Sequence, residues 1–180
     1  MSIEQDNPTV VIRLAVPEDS STIASILNEA FREYRSQYTQ SGFEATVPPA
    51  EEILNRVREG PLWIALKGRN VVGTISAVVK EEGLYIRGMA IVPNARGKRI
   101  GVTLLQQAES FGLERGIRRL FLSTTPFLFR AISLYENYGF TKSPSGPHDL
   151  FGTPLFTMEK SVECLTRNRA APSEQIHNGT

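Results

Sequence analysis

The run Arg96-Gly-Lys-Arg-Ile-Gly101 places three cationic side chains and two glycines between an apolar stretch ending at Val92 and an amphipathic run that begins at Gly101. The first N–H groups of a helix have no partner within it, and the aligned peptide dipoles put partial positive charge at the same point. An apolar strand that feeds a basic, glycine-bearing loop and then a helix start is therefore suited to holding phosphate. Arg96, Lys98 and Arg99 add formal charge there. The second group with usable chemistry is the phenol of Tyr135, about thirty residues on, which shares a helical face with Ile132 and Tyr138. By spacing alone it is a core residue. Chemically it is a weak acid, with an ordinary pKa of about 10.

The elements that position these residues follow from the hydrophobic pattern. Val10 to Val16 alternates as a half-buried strand does, and Pro17-Glu18-Asp19 offers a turn with Asp19 as an N-cap. Ile23, Ile26, Leu27, Ala30, Phe31 and Tyr34 then recur at helical spacing. Ser36 to Pro49 loses that period and reads as a loop able to lie over a site. A short helix follows Pro49 and stops at Gly60, with Glu51 and Glu52 in its first turn. Leu62 to Leu66, Val71 to Val79 and Leu84 to Val92 read as three successive antiparallel strands. A helix from Gly101 to Arg115-Gly116 and a strand at Leu120 to Leu122 complete a βαβ crossover, which makes its two strands parallel. Ala131 to Tyr138 is a further helix, Phe140 begins another strand region, and Leu155 to Met158 is the last strand, after the turn-rich Ser143 to Pro154.

Two stretches in this order resemble the GCN5-related N-acetyltransferases, the GNAT family. Arg96 and Gly101 match the ends of that family's Arg/Gln-x-x-Gly-x-Gly/Ala phosphate loop, with Arg99 where glycine is usual. Ala131-Ile-Ser-Leu134-Tyr135 through Gly139-Phe140 is close to its Ala-x-x-Leu-Tyr-x-x-x-Gly-Phe signature. The resemblance implies a single mixed α/β domain over residues 10–160, between an extension at 1–9 and a polar tail at 161–180, frayed past about Arg167. Its central sheet would be mostly antiparallel with helices on either side, and its fourth strand bulged near Gly88. It also implies acetyl-CoA as co-substrate. The pyrophosphate would be gripped by Arg96 and by the amides of Gly97, Lys98, Arg99, Ile100, Gly101 and Val102, with Thr103 beside them. Main-chain groups of Met89, Ala90 and Ile91 would bind the thioester and the pantetheine arm, and Tyr135 would protonate the leaving thiolate. Leu128 stands where many members have asparagine. The expected reaction is direct acetyl transfer to the primary amine of a small molecule or peptide in a ternary complex. A non-catalytic acyl-CoA sensor on the same fold is the alternative, and homodimers are common in the family.

Phe31, Tyr34, Tyr38 and Phe43 are candidate acceptor contacts. Drawing a proton from a lysine-like amine of pKa about 10.4 at pH 7 costs about 4.6 kcal/mol. A general base would help, and Glu44, Glu81, Glu82 and His148 are the candidates. The 180 residues are 41% apolar and carry a net charge of +1, which makes no electrostatic case for nucleic acid or an anionic membrane. There is no apolar run long enough to span a bilayer, no nucleotide P-loop and no dinucleotide motif. A single cysteine, Cys164, excludes an internal disulfide, and with two histidines it leaves no metal cluster. The chain reads as soluble and cytoplasmic.

Overall fold

The computed structural model describes residues 9–163. The expected N-terminal extension, Cys164 and most of the polar tail lie outside them. In chain order the elements are β1 (Val10–Leu14), α1 (Ser20–Phe31), α2 (Gln40–Thr46), α3 (Ala50–Glu59), β2 (Leu62–Lys67), β3 (Asn70–Lys80) and β4 (Gly83–Ile91). They continue with α4 (Ile100–Glu114), β5 (Arg119–Thr124), α5 (Phe129–Asn137), β6 (Thr141–Lys142), β7 (His148–Leu150) and β8 (Thr153–Ser161). The sheet runs β1-β2-β3-β4-β5-β8-β6, with β7 paired to β8, and every pairing is antiparallel except β4 with β5. This is the mixed, mostly antiparallel α/β sheet expected from the strand pattern and the βαβ crossover.

Val72 to Val78 in β3 is buried at every position, which a strand achieves only when both faces are covered. α1 and α4 both pack on β3 and β4, and α1 also packs on α3. Leu104, Leu105 and Ala108 of α4 are fully buried, as are Ile64, Ile75, Leu84 and Leu120 of the sheet. These side chains form one continuous core.

The break in the sheet lies in β4. Thr74 faces Ala90 and Ser76 faces Arg87, so Ile75 alone opposes both Gly88 and Met89. Gly88 has φ +57°, a left-handed conformation that costs a side-chain-bearing residue roughly 1–2 kcal/mol. The bulge expected near Gly88 is therefore present. β4 pairs with β5 only from Leu84 to Ile86, against Leu120 to Leu122. Beyond that point the two parallel strands separate, and β5 continues its pairing with β8 as far as Thr124.

Several local expectations are corrected. Ser36 to Pro49 is not all loop: a six-residue 3₁₀ turn, Arg32–Gln37, leads into α2. Thr39 caps α2, its Oγ1 accepting from Gly42 N–H at 3.0 Å and donating to the Phe151 carbonyl at 2.7 Å. The turn-rich stretch before Pro154 contains β7, which forms a hairpin with β8. Phe140 precedes β6 and lies outside it, and α5 starts at Phe129, two residues earlier than the pattern indicates. Asp19 does occupy the N-cap of α1, yet its carboxylate accepts from Val16 N–H at 2.8 Å and from both terminal nitrogens of Arg13 at 2.7 and 2.9 Å. The 3₁₀ turn Pro17–Asp19 directs it backward.

Candidate active site

After β4 the chain makes one 3₁₀ turn, Pro93–Ala95, and crosses the basic loop into α4. Arg99 is the N-cap of α4 with φ +59° and ψ 9°. This left-handed conformation is the physical reason glycine suits the position. The first bond of the helix is Thr103 N–H to Arg99 O at 3.1 Å, so the N–H groups of Ile100, Gly101 and Val102 precede the ladder and point out of its start. Thr103 also turns its hydroxyl to the Arg99 carbonyl, at 3.2 Å.

Arg96 has a different job from the one its charge suggests. Its Nη2 donates to the Ala30 carbonyl at 3.0 Å, its Nε to the Ile91 carbonyl at 3.4 Å, and its Nη1 pairs with Glu33. The side chain thus ties the last turn of α1 to the end of β4, and Glu33 neutralises much of its charge. Lys98 lies at the surface beside Lys67, whose ammonium is pushed down by desolvation and by that neighbouring charge.

A cavity of about 870 Å³ runs from this loop across the separated end of β4 to α5 and the end of α1. Of the expected phosphate-loop residues, Arg96, Gly97, Arg99, Ile100, Gly101 and Val102 border it, whereas Lys98 and Thr103 do not. Met89, Ala90 and Ile91 form its floor. Gly101 is where the walls meet: a Cβ there would lie 2.6 Å from Leu134 Cδ2, 3.1 Å from Ile91 Cδ1 and 3.3 Å from Met89 Cε.

Tyr135 also borders the cavity. It is buried, and that burial, together with the neighbouring Tyr38, holds its phenol well above the ordinary value. Its ring packs on Phe140 with centroids 5.9 Å apart. Phe31 and Tyr34 line the cavity; Tyr38 and Phe43 do not. Those two are buried in an aromatic cluster in which Phe127 stacks on Tyr34 at 6.4 Å and meets the edge of Tyr38 at 4.8 Å, with Phe43 5.8 Å from Tyr38. Burial pushes the Tyr38 phenol up as well.

Leu128 takes its place in the wall as a buried apolar residue. Sequence reasoning missed the polar face of α5, where Arg130, Ser133 and Asn137 line the cavity beside Leu134. Their spacing of three and four was the available signal. None of the four general-base candidates borders the cavity. Glu81 and Glu82 sit in the turn before β4, and Glu82 is seven residues from Met89, about 23 Å at the usual strand rise. Glu44 accepts from Gln40, and His148 is exposed on β7. Among the described residues no cluster of three His, Cys, Asp or Glu side chains could hold a metal ion, and no helix is long and apolar enough to cross a membrane.

Residues 23–140 match the family model described as Acetyltransferase (GNAT) family. The chain belongs to the GNAT acetyltransferase family. It is 30% identical over 137 residues to the N-acetyltransferase YjgM of Escherichia coli, an alignment that covers 72% of this chain and 81% of that protein. It is 34% identical over 84 residues to the probable N-acetyltransferase camello of Xenopus laevis, covering 45% of this chain and 38% of that one. The chain thus spans well under half the length of the latter relative. Among solved structures, the PaiA N-acetyltransferase of Thermoplasma acidophilum, crystallised with coenzyme A, shares the fold with a TM-score of 0.74 at 22% identity, over 86% of this chain and 99% of that one. The bulged β4, the basic loop and α5 all lie within the matched residues.

Proposed function

We propose that this GNAT protein is an acetyl-CoA-dependent N-acetyltransferase that joins the acetyl group to an amine by direct attack. The observation that carries the reading is the single cavity in which a helix start, the bulged half of β4 and Tyr135 all take part. The residues present fit the co-substrate. The unladdered amides at the start of α4 border the cavity where an anion would lie, Gly97 has open space around it, and Gly101 allows α4, β4 and α5 to close on a narrow arm. PaiA was crystallised with coenzyme A, in line with this fit.

Acetyl-CoA supplies the activated acetyl group as a thioester. The protein's own residues do the rest. The amides of Gly97 to Val102 hold the pyrophosphate, and Arg99 adds charge at the rim. The main chain of Met89 to Ile91, freed from pairing with β5, fixes the thioester and polarises its carbonyl. As the new N–C bond forms and the C–S bond breaks, Tyr135 gives its proton to sulfur and the amine loses one to water. A raised phenol pKa makes Tyr135 a reluctant acid, so its proton passes late, and until then its fixed O–H stabilises the charge developing on sulfur. The acceptor is the amine of a small molecule or peptide, and the cytoplasm, where acetyl-CoA is available, is the proposed location. A homodimer follows from the family resemblance.

The test is thermal unfolding with acetyl-CoA, CoA, ATP and NAD added separately, followed by an assay for released thiol with an amine library. Ligand at a hundred times Kd stabilises by about 2.7 kcal/mol, roughly 5–10 °C for a domain of this size. A shift with both CoA species and none with ATP or NAD is expected. Binding without thiol release on any amine would favour the acyl-CoA sensor, and the absence of a shift would remove the reading.

A further inference from the structure

Arg96 has all three guanidinium nitrogens engaged, whereas two other arginines beside β4 do not. Arg56 on α3 and Arg87 on β4 each use Nη2 alone, on Glu52 at 2.7 Å and on Glu59 respectively. Their Nε atoms are buried without a hydrogen-bond partner, as is Ser76 Oγ. These three atoms belong to one place. Ser76 is the cross-strand partner of Arg87, so the two side chains share a face of the sheet. Arg56 Nη1 is 3.5 Å from where a Cβ on Gly88 would stand. The Arg87 hydrogen bond, opposed by desolvation, holds the Glu59 carboxyl below the usual carboxylate range, and the charges of Arg87, Lys80 and Arg56 add to the lowering. Donors and positive charge thus gather around a carboxylate. Buried donors left unpaired oppose folding, and an arginine pair kept only for structure would be matched as fully as Arg96 is.

The acids now present are displaceable. The side chains of Glu52 and Glu59 are 51% and 48% exposed, against 12% and 23% for Arg56 and Arg87, so the glutamates can swing out while the arginines stay. Exposed ion pairs of this kind are weakly held. Arg56, Ser76 and Arg87 stand outside the cavity lining but next to its floor. β4 leaves β5 after Ile86, so Arg87 is the first residue of the separated stretch, and Met89 lies two residues on, roughly 7 Å at the usual strand rise. From this placement we infer that Arg56 and Arg87, with Ser76 behind them, form a carboxylate subsite that selects acceptors carrying an acid group a few bonds from the amine. The inference rests on the acetyltransferase reading. The acceptor's amine reaches the thioester beside Met89 while its carboxylate takes the place of Glu59 on Arg87. A bidentate contact there uses Nε together with Nη2 and so satisfies the unpaired donor.

The experiment uses β-alanine, 4-aminobutyrate and 5-aminovalerate as acceptors, each beside the alkylamine it would give on loss of its carboxylate. In the best pair kcat/KM should favour the acid by at least about tenfold, the lower end for hydrogen bonds to a charged group. In Arg87→Gln that ratio should fall to within about threefold of one. Calorimetric titration of the CoA complex with the preferred acid should show binding weakened by about tenfold in the same variant. CoA itself should bind as it does to the unaltered chain, since neither arginine borders the cavity. Glu59→Gln removes the competing carboxylate and should lower KM for the acid several-fold, a gain that a purely structural ion pair does not give. No preference for the acid in any pair, a ratio unmoved by Arg87→Gln, or a KM raised by Glu59→Gln would overturn the inference and leave the acetyltransferase reading intact. CoA binding without thiol release on any amine would remove both.

Discussion

Replacing Gly101 with alanine probes the junction on which the candidate site depends. The added methyl would lie 2.6 Å from Leu134 Cδ2, about 1 Å inside ordinary contact, and would press on Ile91 Cδ1 at 3.1 Å and Met89 Cε at 3.3 Å. All three neighbours are side-chain ends, so the strain is relieved by rotating Leu134 and easing α4 away from β4 and α5. Overpacking of this kind costs about 1–3 kcal/mol, and exchanging glycine for alanine inside a helix returns about 0.5–1. The net loss, up to about 2.5 kcal/mol, lowers Tm by up to about 10 °C. The effect on function should be larger in proportion, because the same movement displaces the amides of Ile100 to Val102 from the floor at Met89 to Ile91. Isothermal titration of the Gly101→Ala protein with CoA should show affinity weakened by at least about tenfold, in keeping with the steep cost of displacement by an ångström. Thr103→Ala, two residues along the helix and outside the cavity wall, should bind CoA as the unaltered chain does. If Gly101→Ala binds CoA unchanged while its Tm falls, the cavity at this junction is not the CoA site and the reasoning fails.

Tyr135→Phe should lower kcat by about a hundredfold or more with CoA affinity preserved, because it removes a proton donor and keeps the ring against Phe140; steady-state kinetics and CoA titration together check it, and unchanged turnover would remove Tyr135 from the chemistry. Arg99→Gly relieves a left-handed arginine at about 1–2 kcal/mol and incurs about 0.5–1 in backbone entropy, so chemical denaturation should show a modest gain in stability beside weaker CoA binding from the lost charge. The Asp19 carboxyl is held below its ordinary value by its hydrogen bonds to Arg13, an effect burial opposes, and Val16 N–H adds to the lowering. That stability is present above the unfolded carboxyl's pKa near 3.9 and is lost as pH falls through the lower folded value. Asp19→Asn should therefore lower Tm at pH 7 and leave it nearly unchanged near pH 2.

What could be read before folding depended on how local the cause was. β2, β3 and β4 are runs of apolar and β-branched residues joined by glycine-containing turns, and α4 carries its buried face in its own spacing, so the sheet centre and the crossover were legible. The bulge came from family resemblance plus one glycine, and Gly88 does adopt a positive φ at the bulge. α2 could not be read. Gln40–Thr46 includes a glycine and no apolar period, and its start is fixed by Thr39, whose N–H donates to Thr153 Oγ1 114 residues away at 3.0 Å. β7 likewise exists because β8 pairs with it. In the candidate site, the basic loop and Tyr135 border one cavity, while the side chains facing it from α5 were hidden by a helix whose two faces are both partly polar.

Arg96 shows why a motif position and a side-chain role are separable. Its place at the head of the phosphate loop suggests an anion clamp, yet all three of its guanidinium nitrogens are engaged by Ala30, Ile91 and Glu33. The carbonyls of Ala30 and Ile91 end a helix and a strand respectively, positions where backbone oxygens lose their regular partners. One arginine satisfies both and so pins the end of α1 to the end of β4, both of which line the cavity. In the proposed reading anion binding in this loop falls to backbone amides, whose direction is set by the helix itself and does not depend on rotamer. The arrangement separates the group that sizes the cavity from the groups that grip the ligand. In that reading Arg99, a residue ill-suited to its left-handed conformation, stands at the cap because it brings charge to the rim as well as a peptide N–H.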